Sequence, residues 1–372
     1  MKARSQSSPL VIGSSGLDRL ITLLAEQGYS VIGPRLRDDA IVYEGITSSA
    51  DLPRGILDEQ KGGHYRTYRE GEAYFGYVVG PSSWKRFLHP PRQVLWRGDK
   101  RDGSTTIQTQ PVADERYAFI GVRACELAAI LVQDRVFLHG PYRDPHYAAR
   151  RESSFIVAVN CGRAAETCFC DSMGTGPKAQ SGYDIALTEI ATGSVPAFLV
   201  DVGSDKGQEL VDNLPSRPAT DDDISAAEQA TAHAISQIQR RIDTDGISEL
   251  LKSEYNHPRW NDVAARCLSC ANCTMVCPTC FCTTVEETSD LQGAETARVQ
   301  RWESCFTVDF SYVHGGSVRA SPASRYRQWM THKLATWHDQ FGTSGCVGCG
   351  RCITWCPVGI DITEEAAAIR GS

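Results

Sequence analysis

One cysteine motif occurs twice in the last third of this sequence and limits the fold more than any other feature. The motif is C-x-x-C-x-x-C-x-x-x-C-P, and its two copies begin at Cys267 and Cys346. Three thiolates at this spacing on a tight loop can bind three irons of one cubane, while the fourth cysteine points towards a second cubane. Zinc sites use two C-x-x-C pairs instead. The repeat therefore predicts two [4Fe–4S] clusters.

The spacing also predicts which cysteines share a cluster, because each motif gives its fourth cysteine to the other cluster. The first cluster is assigned to Cys267, Cys270, Cys273 and Cys356. The second cluster is assigned to Cys346, Cys349, Cys352 and Cys277. The proline after each fourth cysteine has no N–H to leave unpaired and ends the ligand loop.

Composition limits the compartment and the kinds of partner. The chain has 372 residues and 15 cysteines, an odd number that argues against a disulfide framework. No secretory pattern is present in Met1–Pro9, so we expect a cytoplasmic protein. A net charge of -7 gives no reason to expect nucleic acid. No apolar run reaches the ~18 residues of a membrane span.

The length and the uneven cysteine distribution predict two domains, an α/β domain over residues 1–220 and a helical, ferredoxin-like dicluster domain over residues 221–372. The polar segment Ser216–Ser225 marks the boundary. Apolar residues at i, i+3, i+4 and i+7 predict a helix around Leu17–Leu24. Further predictions are strands at Tyr29–Arg37 and Ala40–Gly45, a loop over Ser82–Asp114 and a helix over Ala226–Ile242.

A βαβ unit is predicted in the middle of the chain. Its parts are an apolar strand at Tyr117–Val122, a helix at Glu126–Leu138 and a second strand at Phe155–Val159. Two more strands are expected between Gly182 and Val202. The predicted fold class is thus an α/β N-terminal region with a βαβ unit, followed by an α-rich two-cluster ferredoxin-like domain with a long insertion.

Four further cysteines fall in or after this unit, namely Cys125, Cys161, Cys168 and Cys170. The first two follow the two predicted parallel strands, and α/β proteins bind ligands at that edge of the sheet. The other two follow within a short loop. Four thiolates at one edge favour a third iron–sulfur cluster, and the alternatives are zinc or buried thiols that act as small apolar residues.

Three cysteines remain, and they are Cys280, Cys282 and Cys305. They are one ligand short of a cubane unless His314 or a partner contributes, so packed thiols are the favoured interpretation. A stretch from Gly174 to Ala179 mimics a dinucleotide fingerprint. It follows a cysteine loop rather than a strand, which favours a simple turn.

The 68 residues between the motifs (278–345) are far more than a minimal ferredoxin has. We favour a local core with a solvated basic face, and the alternative is a docking surface for a partner subunit. The aromatic and basic residues concerned are Trp302, Tyr312, Trp329, Trp337, Arg319, Arg325, Arg327 and Lys333.

The stretch Arg266–Arg370 resembles the β subunit of cytoplasmic NADP-linked [NiFe] hydrogenases (sulfhydrogenases), a family that includes the A subunit of anaerobic sulfite reductase. The resemblance is carried by CLSCANCTMVCPTCFCTTVEE, SCFTVDFSYVHGGS and HKLATWHDQFGTSGCVGCGRCITWCPVGIDITEE. It continues upstream through GVRACELAAI, DRVFL, VNCGRAAETCFCDSMGTGP and SWKRFLHPPR.

The resemblance implies electron transfer between an FAD- and NAD(P)-binding reductase-like subunit and the [NiFe] hydrogenase small and large subunits. No catalysis is then expected from this chain alone. One alternative is the same role in an anaerobic sulfite reductase. Alternatives from other classes are an enzyme with its own open-site cluster, built from Cys280, Cys282 and Cys305, and a redox-sensing or structural metal protein.

Overall fold

The computed structural model describes residues 9–101, 104–112, 114–192 and 195–371. The predicted polar N-terminus, apart from Pro9, lies outside them. The strands are β1 Leu10–Gly13, β2 Ser30–Arg37, β3 Ala40–Gly45, β4 Ile56–Lys61, β5 His64–Arg69, β6 Arg92–Arg101, β7 Ser104–Thr109, β8 Tyr117–Val122, β9 Phe155–Val159, β10 Ile185–Thr192, β11 Val195–Val202, β12 Ser216–Pro218, β13 Thr283–Ser289, β14 Glu295–Trp302, β15 Tyr312–Val313 and β16 Gly316–Ser317.

The helices are α1 Ser14–Glu26, α2 Lys85–Leu88, α3 Ala124–Phe137, α4 Pro145–Glu152, α5 Asp205–Val211, α6 Asp221–Gln237, α7 Ile247–Ser253, α8 Arg259–Arg266, α9 Asn272–Met275, α10 Pro322–Thr331, α11 Trp337–Phe341, α12 Arg351–Thr354 and α13 Ile362–Arg370. Short 3-10 turns lie at Ser49–Asp51 and Asp309–Ser311, and a π-helical segment, His332–Thr336, joins α10 to α11.

An eight-stranded sheet organises the N-terminal region, in the order β12-β1-β11-β10-β9-β8-β2-β3. The strands β2, β8, β9 and β10 are parallel neighbours, and the remaining pairs are antiparallel. Helix α1 packs on this sheet because Leu17, Leu20, Ile21 and Leu24 form one apolar stripe. It ends before Gly28, whose φ of 82° is a left-handed conformation that suits glycine.

The predicted βαβ unit is present, since β8 pairs in parallel with β9 and α3 connects towards it. Both strands are fully or almost fully buried and consist mainly of apolar residues, as parallel strands covered on both faces require. The carboxyl ends of β8 and β9 lie side by side, and Cys125 and Cys161 follow them. This edge of the sheet is where the third cluster was predicted.

The loop predicted over Ser82–Asp114 is wrong for most of the described part of that segment. It contains α2 and the strands β6 and β7. Strand β6 pairs with β14 from the insertion, giving a four-stranded sheet in the order β13-β14-β6-β7. Polar strands on a sheet with one solvated face lack the apolar runs that reveal buried strands. Because β6 and β14 lie about 200 residues apart in sequence, no local pattern predicts their pairing.

The C-terminal region has its own apolar core, to which α7, α8, α10 and α13 contribute. Large buried side chains there include Trp260, Phe306, Tyr326 and Trp329, which pack in tilted or edge-to-face pairs. Cysteines of both motifs pack against this core. The helices therefore build an apolar wall around the cysteine loops.

Candidate iron–sulfur site

The two motif copies adopt the same local backbone. Ser269 and Ala271 have φ angles of 52° and 67° in the first copy, and Gly348 and Gly350 have 63° and 75° at the matching positions of the second. A short helix, α9 or α12, follows each loop. A positive φ is uncommon for residues other than glycine. Its recurrence at both positions of both copies shows that the same ligand-loop geometry is built twice.

The first thiol set surrounds a small cavity between the first loop and the end of the second motif. Its lining includes Cys267, Cys270, Cys273 and Cys356, with Phe306, Tyr326 and Trp329 behind them. Burial, followed by the neighbouring sulfurs of Cys267, Cys356 and Cys270, raises the pKa of Cys273 well above its usual value. The fourth thiol of this set thus comes from the other motif. Cys352 of the second motif also lines the cavity, and four of these five soft thiol donors are enough to hold an iron–sulfur cluster.

The second thiol set is arranged in the same crossed manner. Burial and the nearby sulfurs of Cys346, Cys349 and Cys277 raise the pKa of Cys352 well above its usual value. Cys277 and Cys349 are buried, whereas Cys270 of the first set is exposed. The second set is thus more enclosed than the first, and its four thiols also fit a cluster.

A lysine side chain lies inside the second set. The Lys333 ammonium, on a side chain that is 3% exposed, donates to Cys277 Sγ at 3.1 Å, Thr279 Oγ1 at 3.1 Å and the Gly345 carbonyl at 3.2 Å. Although burial opposes it, the charge of the Cys277 sulfur raises the pKa of Lys333 well above its usual value. No local pattern in the sequence predicts this contact, because a lysine side chain is usually exposed.

The four cysteines of the N-terminal region also come together. Burial and then the charges of Cys168, Cys161 and Cys349 raise the pKa of Cys170. The pKa of Cys125 is raised by burial and then by Cys170 and Cys349. The four thiols therefore lie near one another at the carboxyl edge of the sheet, and Cys349 of the second set is their neighbour.

The loop that carries Cys168 and Cys170 packs directly on the second motif. The Phe169 N–H donates to the Gly348 carbonyl at 2.9 Å. A Cβ at Gly348 would lie 2.6 Å from the Cys170 backbone, and one at Gly350 would lie 2.3 Å from the Thr167 carbonyl oxygen. Only glycine fits such contacts. The second motif is thus in direct contact with the loop that carries Cys168 and Cys170.

A buried ionic network joins the two regions beside these thiols. Arg351 of α12 pairs with Glu126 at the start of α3, and both side chains are buried. Glu126 also accepts hydrogen bonds from Tyr43 Oη at 2.7 Å and Trp84 Nε1 at 3.1 Å. Arg351 donates to the Gly80 carbonyl at 2.8 Å. A buried charge needs such compensation, so this pair fixes the second motif against the βαβ unit.

The remaining thiols lie beside the second set. The Cys280 thiol hydrogen-bonds to Cys277, and Cys282 hydrogen-bonds to Cys305. His314 is exposed in the hairpin between β15 and β16, whereas His332 lines a cavity together with Cys282 and Cys305. Across the described residues, no group of three or more His, Cys, Asp or Glu side chains is arranged to hold a single metal ion.

The insertion contributes to the core more than to a solvated basic face. Trp329, Trp337, Arg325 and Lys333 are buried, and Arg327 stacks over Tyr255 at 3.5 Å. The solvated face predicted for Arg325 and Lys333 is therefore wrong.

The glycine stretch from Gly174 to Ala179 forms turns without a following helix.

The region with the two cysteine motifs belongs to a known class of iron–sulfur domain. Residues 266–360 match the family model of the 4Fe-4S dicluster domain, which spans both cysteine motifs. The predicted iron–sulfur character of this region is therefore confirmed.

Within the described part of the chain, no helix combines the length and apolar character needed to cross a membrane.

A more specific relationship covers most of the sequence. The chain is 32% identical over 289 residues to Sulfhydrogenase 2 subunit beta of Pyrococcus furiosus, an alignment that spans 77% of this chain and 82% of the relative. The chain belongs to the sulfhydrogenase β-subunit family, as its sequence resemblance indicated.

Proposed function

We propose that this chain transfers single electrons between an FAD- and NAD(P)-binding reductase-like subunit and the small and large subunits of a soluble [NiFe] hydrogenase. Support comes from the 32% identity to a sulfhydrogenase β subunit and from the dicluster domain at residues 266–360. The cytoplasmic location is part of the proposal, since fifteen cysteines, all free, suit a reducing compartment.

The observation that carries the proposal is the placement of the second thiol set between the other two. Cys352 of that set neighbours Cys273 of the first set, and Cys349 neighbours Cys170 and Cys125 of the third. Electron transfer between cofactors needs them close together. The adjacency of the three thiol sets supports a relay rather than isolated structural sites.

Each thiol set would hold one cluster. The first ligand set is Cys267, Cys270, Cys273 and Cys356, the second is Cys346, Cys349, Cys352 and Cys277, and the third is Cys125, Cys161, Cys168 and Cys170. A [4Fe–4S] cluster in such a set would supply one-electron chemistry at a potential that burial and hydrogen bonds to sulfur adjust.

The protein groups around the sulfurs differ in ways that suit a relay. In the first set, Cys270 and the neighbouring Leu268 are exposed, so this set is open to a partner. Its sulfurs accept backbone hydrogen bonds from Ser269 at 3.4 Å and Ile360 at 3.3 Å. In the second set, the buried ammonium of Lys333, rather than solvent, donates a hydrogen bond to the Cys277 sulfur. The first set is therefore the entry or exit point, and the second is the shielded intermediate.

Metal analysis of anaerobically purified protein tests the cofactor content. Two cubanes give about eight irons per chain, and three give about twelve. Zinc, or only four irons, would contradict the relay. Reduction with dithionite should bleach the visible absorption reversibly, and new signals that depend on an added substrate would favour the open-site enzyme.

Purification of the native complex tests the partners. We expect a flavin-containing reductase-like subunit and nickel-containing hydrogenase subunits to co-elute with this chain. Co-elution with a sirohaem-containing sulfite reductase subunit instead would replace the hydrogenase assignment by the sulfite reductase alternative. The iron content would then still support a relay.

A further inference from the structure

Cys282 and Cys305 are brought together by the hairpin of the insertion. Strands β13 and β14 pair from Thr283 opposite Trp302. The pairing continues beyond the strands, because the Glu303 N–H donates to the Cys282 carbonyl at 2.8 Å. The chain then turns so that Cys305 faces Cys282. Two residues that lie more than twenty positions apart are thus held side by side by an ordered sheet end.

Both groups of Cys305 that can donate a hydrogen bond are directed at the Cys282 sulfur. These are the backbone N–H and the thiol. The hydrogen bond from the Cys305 thiol, together with the nearby charges of Lys333 and Lys85, lowers the pKa of Cys282 to about 7. Both cysteines are half-buried and free. Direct thiol contact is the geometry from which a disulfide can close without a large movement of the backbone.

The pair opens onto a cavity of about 420 Å³. Arg319 gives this cavity a cationic group, while His332, Gln328 and Gln340 add hydrogen-bonding groups, and Phe281 and Phe310 add apolar walls. Behind the thiols, the buried Lys85 ammonium donates to the Cys280 carbonyl at 3.1 Å and stacks over Trp302 at 3.8 Å. These charges favour a small anionic ligand over a neutral or cationic one.

We propose that Cys282 and Cys305 form a redox-active dithiol that reacts with small anionic disulfides in this cavity. The Cys282 thiolate attacks one sulfur of the disulfide, a new S–S bond forms and one thiolate leaves. Cys305 then attacks the Cys282 sulfur of the mixed disulfide. The second thiolate leaves and takes up the Cys305 proton. The dithiol loses two electrons, and the small disulfide gains them and leaves as one thiolate and one thiol.

Oxidised glutathione, which is anionic, is the test probe. The full-length protein with its clusters is incubated anaerobically with this probe, quenched in acid with a thiol-blocking reagent and mapped as peptides. We expect one new cross-link, between Cys282 and Cys305, with the mass of two hydrogens lost. Cystamine, a cationic disulfide of similar reactivity, should react about tenfold more slowly because of the cationic lining.

Matched variants separate this site from the neighbouring cysteines. Cys305→Ser should abolish the cross-link and leave a mixed glutathione adduct on Cys282, while Cys280→Ser should form the cross-link as the unaltered protein does. Absence of the cross-link in the unaltered protein, or a cross-link to Cys280, overturns the proposal. Equal rates with cystamine overturn the anionic specificity.

Iron content and the paramagnetic spectrum are measured on the same samples before and after the reaction. We expect both to stay unchanged. Loss of iron in step with the cross-link would show that these cysteines are cluster ligands and would overturn the dithiol. A sample without about eight irons at the start would contradict the relay instead, so the failures of the two proposals are distinguishable.

Discussion

The ammonium of Lys333 lies 3.1 Å from the sulfur of Cys277, inside the second thiol set. The Lys333 side chain is almost fully buried, and its other hydrogen-bond partners are neutral oxygens of Thr279 and Gly345. A buried cation costs several kcal/mol to desolvate unless an anion is near. The anionic partner here is the cysteine sulfur, so the lysine and the thiol set stabilise each other.

We predict that Lys333→Met lowers the midpoint potential of the cluster proposed for the second set. An ammonium beside a ligand sulfur stabilises the more negative, reduced state, and its loss removes that preference. We expect a decrease of roughly 60 mV, which corresponds to about 1.4 kcal/mol for one electron. A redox titration followed by paramagnetic resonance measures it.

Lys252→Met is the matched control, because it removes the same charge from an exposed ion pair with Asp339. Its potentials should stay at the values of the unaltered protein. Equal potentials in Lys333→Met and the control would contradict a role of Lys333 in setting the potential.

We predict that Cys277→Ser perturbs the cluster proposed for the Cys346 loop rather than the one on its own loop. The reason is the crossed arrangement, in which Cys277 lies with Cys346, Cys349 and Cys352. Cys356→Ser is the reciprocal variant and should affect the cluster at Cys267–Cys273. The two variants should alter different signals in the paramagnetic resonance spectrum. The same signal lost in both would mean that the crossed assignment is wrong.

The parts of the site that sequence reasoning could predict are those with local patterns. Ligand spacing around Cys267 and Cys346 is a local property, and so is the apolar run of β8 and β9 that places Cys125 and Cys161 at one edge. These predictions needed no knowledge of long-range contacts.

The parts that escaped prediction depend on contacts between distant residues. Lys333 reaches Cys277, Arg351 reaches Glu126, and β6 pairs with β14. A lysine or arginine is usually exposed, so burial against a thiol or a carboxylate has no signature in the sequence itself. The hairpin that brings Cys282 to Cys305 escaped for the same reason.

We predict that His89 makes the region around α2 less stable as the pH falls from 7 to 5. Burial and the nearby charge of Lys85 lower the pKa of His89 to about 4, from an ordinary value of 6.5. The folded state therefore holds His89 neutral, while the unfolded state takes up a proton below pH 6.5. The contribution of His89 to the free energy of unfolding is fully present above pH 6.5. It decreases towards pH 4, by about 2 kcal/mol at pH 5.

Native-state hydrogen exchange of the backbone amides at Lys85–Leu88 measures this opening free energy with the clusters in place. His89→Phe is the comparison, because the ring already packs against Phe137 at 4.7 Å and phenylalanine cannot take up a proton. The loss between pH 7 and 5 should shrink by about 2 kcal/mol in that variant. An unchanged pH dependence would assign the effect to other groups.

Our last prediction concerns the third thiol set, which decides whether the N-terminal domain belongs to the electron path. The double variant Cys125→Ser and Cys161→Ser removes one ligand from each of the two strand ends. If the four cysteines hold a cluster, the iron content should fall by about four per chain. Both C-terminal clusters should remain, because their ligands lie in other loops. In the proposed complex, electron transfer between the flavin subunit and the hydrogenase subunits should slow as well if the third cluster lies between them. Cys280→Ser is the control, since it removes a thiol outside all three sets and should leave the iron content unchanged. An equal iron count in the double variant and the unaltered protein would make the four cysteines packed thiols, and the α/β domain a scaffold for the dicluster domain.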